Sequence, residues 1–157
     1  LSDTHCYSWS EVDDQIRRAV TQADLAIHCG DIVRLPVLEG FLRCSKRSVA
    51  VHGNSDPAEL REILPYKESI EIEGLRLGIT HPAWGREEFP PTELFNDFEE
   101  KPDIIIFGHT HQPLLETIEE TLFVNPGQGY KSFMVDSTIA QLNLEDRSIE
   151  GEIITIR

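Results

Sequence analysis

Seven polar side chains stand where apolar runs of the chain stop: Asp3 and His5, Asp31, Asn54, His81, then His109 and His111. Carboxylates and imidazoles together suit Mn²⁺, Fe or Zn²⁺. A carboxylate such as that of Asp31 can bridge two cations. The amide oxygen of Asn54 is a weak ligand that serves beside stronger ones. No cysteine is needed, which argues against a closed structural zinc site. Singly, each residue reads equally well as a cap, a turn former or a loop residue. The signal is the set of seven, spread over five strand ends.

The elements that position them follow from the hydrophobic pattern. The run Ile104-Ile105-Ile106-Phe107 reads as a strand buried on both faces, and Gly108 lets the backbone turn sharply before His109. Ligands in such sheets bind beyond the carboxyl ends of strands. Upstream, Leu25 to Cys29 and Ser48 to His52 are strands ended by Gly30-Asp31 and Gly53-Asn54. Ser10 with Asp13 predicts a capping box for a helix carrying Val12, Ile16, Ala19, Val20 and Ala23. Leu35 to Leu42 predicts a second helix, and Asp56-Pro57 with Glu59 a third, with Asp56 as its cap. Residues 69–73 and 75–80 alternate around Gly74 as a hairpin running into His81-Pro82. Residues 92–100 predict a helix. Residues 114–118 with 122–124, and the tail from Ser137 to Arg157, predict two further hairpins. Strand and helix alternate in the first half and strands dominate the second, which predicts two packed sheets with helices outside.

At 157 residues, 39% of them hydrophobic, the chain is expected to form one domain over 1–157 with a substantial core. Leu1-Ser2-Asp3 reads as the tail of a strand whose earlier residues are expected to precede Leu1. No run of apolar residues approaches a membrane span, so a cytoplasmic protein without a membrane partner is expected. With 14 basic and 28 acidic residues the net charge is −14, which argues against nucleic acid as a partner. Cys6, Cys29 and Cys44 fit neither a disulfide framework nor a zinc knuckle. His28 and His52 are expected to be packed, hydrogen-bonded histidines rather than ligands.

Taken in order, Asp3-x-His5, Gly30-Asp31, Gly53-Asn54, the lone His81 and Gly108-His109-x-His111, closed by Asn125-Pro126-Gly127, resemble the signature of calcineurin-like metallophosphoesterases. The likeness spans nearly the whole chain and is nearest to the small bacterial and archaeal phosphodiesterases. The resemblance implies a four-layer α/β/β/α sandwich of two mixed sheets with flanking helices. It implies that Asp3, His5 and His111 hold one metal, that Asn54, His81 and His109 hold the other, and that Asp31 bridges them. The implied cofactors are two divalent ions, manganese first, with iron, zinc, nickel or magnesium as alternatives. The implied activity is hydrolysis of a small phosphodiester by two-metal activation of a bridging hydroxide, with Asp31, Asn54 and His81 as the catalytic set. Homo-oligomerisation is implied by resemblance alone.

Two positions depart from the pattern. Many relatives carry histidine after the Gly-Asn pair, where this chain has Ser55, and a second histidine where it has Ala83. Serine is a poor proton donor, so good leaving groups are expected. Trp84 is expected to pack in its loop, and Arg86 and Lys131 to be solvated. The rival reading is a scaffold of the same fold that binds protein partners, as a subunit of the retromer does.

Overall fold

A computed structural model describes residues 1–82, 84, 86 and 88–157. The parallel pair β1 (Ala26–Cys29) and β2 (Ser48–Val51) forms one layer with residues 1–3. Those residues lie along β1 through Cys29 N to Leu1 O (2.9 Å) and Asp3 N to Gly30 O (3.0 Å). The antiparallel hairpin β8 (Thr138–Glu145) and β9 (Ser148–Thr155) shares its cores. The facing layer is a five-stranded mixed sheet. Its strands are β3 (Lys67–Ile72), β4 (Leu75–Thr80), β5 (Ile104–Phe107), β6 (Leu114–Ile118) and β7 (Thr121–Asn125), in the order β3-β4-β5-β7-β6. Helices α1 (Asp14–Gln22), α2 (Leu35–Cys44) and α3 (Ala58–Ile63) complete the first half.

Strand alternation divides the buried residues among three cores. Along β5, Ile104 and Ile106 face the space between the sheets with Cys29, Val51, Leu77 and Val124. Ile105 and Phe107 point outward to Leu94, Phe123, Phe95 and Phe98. On the other side, Ile16, Val20, Val37, Phe41 and Leu60 of the helices pack with Ala26 and Ala50. A period-2 strand buried on both faces therefore serves two cores at once. The layers run helix, sheet, sheet, helical turn, as expected.

Three local readings are corrected. Ser10 lies in a short 3₁₀ turn, Trp9–Glu11, and α1 is capped by Asp13, whose carboxylate accepts from Gln15 N at 2.8 Å. Residues 91–97 form a 3₁₀ helix, not an α-helix, with i→i+3 bonds from Glu93 N to Pro90 O and Phe98 N to Phe95 O. Asp56 does not cap α3; Pro57 occupies that position and the Asp56 carboxylate points elsewhere. Among the described residues no helix is long and apolar enough to cross a membrane.

His28 is fully buried in β1, with Nε2 3.1 Å from Thr4 Oγ1 and its ring edge-on to Phe41. Burial is the main cause that pushes its pKa from 6.5 down to about 3. The unfolded chain binds the proton more readily than the folded one. Stability carried by the neutral ring is therefore full above pH 6.5 and lost as pH falls from there toward 3. The unfolding free energy from urea denaturation should drop between about pH 7 and about pH 4.5, by up to roughly 1.4 kcal/mol per pH unit from this group. The paired variant Thr4→Val with His28→Leu should lose part of that drop; an unchanged drop would refute the assignment.

Candidate metal centre

All seven candidate residues meet at one end of the sandwich. Asp3 and His5 lie in and just after the N-terminal segment hydrogen-bonded along β1, Asp31 follows β1, Asn54 follows β2, His81 follows β4, and His109 and His111 follow β5. The two sheets thus each supply part of the site. Asp3, Asp31 and His81 form a buried floor, His5, His109 and His111 are half-buried, and Asn54 is exposed at the rim.

The turns are backbone-demanding. Asp3, His5, Asp31, His109 and His111 all have φ between 44° and 83°. Asp and His tolerate this region better than most residues, yet each such position costs about 1 kcal/mol or more. Gly108 was expected to take the sharp turn, but the positive φ falls on His109 itself. Gly108 is needed for close approach: a Cβ there would lie 2.0 Å from Ser2 Oγ and 2.7 Å from Cys29 O. Gly53 plays the same part beside Asp31, whose Oδ1 would be 2.1 Å from a Cβ.

Two sets of acceptor atoms converge. In the first, His111 Nε2 is 3.2 Å and His5 Nε2 3.9 Å from Asp3 Oδ1, and His5 Nε2 is 3.6 Å from Asp31 Oδ2. Asp3 Oδ1 and His5 Nε2 are buried and lack a hydrogen-bond partner. In the second, Asn54 Oδ1 lies 3.1 Å from His81 Nε2 and 2.8 Å from His109 Nδ1, and His81 Nε2 is 3.6 Å from Asp31 Oδ1. The far nitrogens of these two rings donate to carbonyls, His81 Nδ1 to Cys29 O at 2.6 Å and His109 Nε2 to Arg86 O at 2.9 Å. When neutral, their inner nitrogens therefore present lone pairs beside the Asn54 carbonyl oxygen, so that three acceptors face one another with no proton between them. Converging lone pairs with orphaned buried atoms among them are what a cation site requires, so the residues fit divalent metal. One ligand atom each from Asp3, His5 and His111, and likewise from Asp3, Asp31 and His81, lie within 4.8 Å of one another.

The metal-free electrostatics carry the same sign. Burial works to raise the Asp3 pKa, but His111, His81 and Ser2 together outweigh it and hold the carboxyl below its usual value. The hydrogen bond that His111 makes to Asp3 when protonated raises its own pKa against the effect of burial. A proton shared there substitutes weakly for a cation.

Ser55, named as a departure, turns to Asp31: its N–H donates to Oδ1 at 2.7 Å and its hydroxyl to Oδ2 at 2.8 Å. Asp56 instead brackets the loops, accepting from Asp31 N, Gly53 N and Val33 N at 3.0, 2.7 and 2.6 Å. Arg86 pairs with Glu93 and Lys131 is exposed. Trp84 packs on Phe89 with ring centroids 5.0 Å apart. Ala83 lies outside the described residues. Two neighbours were not read from the sequence: Gln128, at His111, and Tyr130, whose ring lies 5.3 Å from that of His5. Their position directly after Asn125-Pro126-Gly127 was the available signal.

Known proteins show the same arrangement of elements. The chain is 31% identical to the probable metallophosphoesterase MJ0623 of Methanocaldococcus jannaschii, over 99% of this chain and 79% of that one. It is 30% identical to phosphodiesterase MJ0936 of the same organism, over 82% and 81% of the two chains. In fold it matches the crystal structure of wild-type Vps29 complexed with Zn²⁺ from Entamoeba histolytica, with TM-score 0.71, 21% identity and coverage of 98% and 96%. The model of the calcineurin-like phosphoesterase superfamily domain matches residues 1–147. That span holds every strand end of the site, and the chain belongs to the calcineurin-like phosphoesterase superfamily.

Proposed function

We propose that the chain is a two-metal phosphodiesterase acting on small phosphate diesters. The observation that carries the reading is the division of Asp31. Its Oδ2 faces His5 of the first acceptor set, and its Oδ1 faces His81 of the second. Asp3, His5 and His111 would hold one divalent ion, Asn54, His81 and His109 the other, and Asp31 both. Such ions would supply positive charge for a phosphoryl oxygen and would lower the pKa of a water. Manganese suits the mixed carboxylate and imidazole set, with iron or zinc next. The net charge of −14 favours a small ester over nucleic acid.

The chain's own groups define what is left to the substrate. Ser55 Oγ is committed to Asp31, and Asn54 carries no titrating proton. The residue directly after Asn54 is Ser55, a poor proton donor to a departing alkoxide, which favours a leaving group stable as an anion. Under conditions where chemistry limits turnover, an aryl diester should be hydrolysed at least roughly a hundredfold faster than an alkyl diester. Equal rates would refute the assignment of Ser55.

The direct test uses metal-free protein and bis(p-nitrophenyl) phosphate. Hydrolysis should appear on adding Mn²⁺, vanish with chelator and return with excess Mn²⁺. Folded protein that hydrolyses no diester with any divalent ion would overturn the enzyme reading and favour a protein-binding scaffold. That rival draws on the shared fold and on no residue of this site.

A further inference from the structure

Gln128 follows the turn that ends β7 and is 2% exposed. Its Nε2 lies 2.9 Å from Tyr130 O, 3.1 Å from Ser132 Oγ and 3.3 Å from Val135 O. Backbone carbonyls only accept, so the nitrogen end of the amide must face the 130–135 loop. The oxygen end then faces His111 Nδ1 at 3.1 Å. An amide oxygen cannot donate, so His111 Nδ1 carries the ring proton and neutral His111 presents a lone pair at Nε2. Nε2 is the atom 3.2 Å from Asp3 Oδ1. Without the amide oxygen, the Asp3 carboxylate becomes the nearest acceptor and draws the ring proton onto Nε2, closing that ligand atom.

The same side chain holds a second structure in place. The loop tied to Nε2 begins with Tyr130, whose ring stands edge-on to His5 and His111 at 5.3 and 6.0 Å. We propose that Gln128 is a positioning residue: its oxygen fixes His111 as an Nδ1–H ligand, and its nitrogen ties the Tyr130 wall and the 130–135 loop to the metal centre. The consequence for metal affinity rests on the two-metal reading, whereas the tautomer does not.

Q128E keeps an acceptor for His111 and loses the donors to the loop, whereas Q128L loses both; Q128M replaces Q128L if that variant does not fold. Long-range ¹H–¹⁵N correlation on metal-free protein, above the pH range where His111 titrates, reads the tautomer directly. Nδ1–H is expected in the parent and Q128E, and Nε2–H in Q128L. Mn²⁺ should bind Q128L at least roughly tenfold more weakly than Q128E. Amide hydrogen exchange over 130–135 should rise in both variants. Retention of Nδ1–H in Q128L, equal Mn²⁺ loss in both variants, or unchanged exchange would overturn the proposal. Failure of the parent itself to bind Mn²⁺ would overturn the metal reading, and the tautomer measurement would still decide the role of Gln128.

Discussion

Replacing Asp31 with asparagine should lower phosphodiester hydrolysis by at least roughly a thousandfold, about 4 kcal/mol in the barrier, while leaving the fold intact. The two halves of the expectation have separate causes. Asparagine has the same shape, its oxygen can still accept from Ser55 N–H, and the Ser55 hydroxyl can turn to accept from the new amide. The buried floor holds two carboxylates, Asp3 and Asp31, with ligand atoms within 4.8 Å of each other, so losing one charge also relieves repulsion. Metal-free stability should therefore change by less than about 1 kcal/mol in either direction. What is lost is an anionic group facing both His5 and His81. A neutral amide is a poor ligand for a hard cation, and its NH₂ end is no ligand at all.

The measurements are a thermal melt of metal-free protein, a Mn²⁺ binding isotherm and the aryl diester rate. Activity within tenfold of the parent would remove Asp31 from the centre. A collapsed melt would make it a structural residue instead.

The convergence of the candidate residues was legible in the sequence because Asp31, Asn54, His81, His109 and His111 follow closely on strands. Ile104 to Phe107 has the length and composition of a doubly buried strand, and the next polar residues must then lie at its carboxyl end. The glycines were legible as features but not for their reason. Gly53 and Gly108 serve close approach across loops 22 or more residues apart in the chain, which no local pattern records. Residues 91–98 show Leu94, Phe95 and Phe98 at spacings that fit either helix type, and the sequence has no signal for the 3₁₀ choice. The role of Gln128 is invisible in the sequence because its partners are two loops, of which one is seventeen residues upstream. Asp56 was misread for a stronger reason: an acid before proline at a helix start has a sufficient local explanation, and the tertiary one is invisible beside it.

Asp56 also gives the largest stability effect expected. The residue is 2% exposed, and its carboxylate receives three backbone N–H groups from two loops. One of them belongs to Val33, a β-branched residue held at φ 73°, and another to Asp31 at φ 54°. Such backbone persists only where its surroundings hold it. Alanine would leave the three donors without this acceptor and free the strained Asp31–Val33 loop. The expected loss is about 3–5 kcal/mol by urea denaturation, with weaker Mn²⁺ binding because Asp31 is displaced. Asparagine separates this role from capping. As a helix cap, asparagine equals aspartate, and even alanine costs only about 1 kcal/mol. As the bracket, asparagine must set an NH₂ against Val33 N–H or against the pair from Asp31 and Gly53, losing about 2 kcal/mol or more. Asp56→Asn with the stability and Mn²⁺ affinity of the parent would return the residue to the helix end.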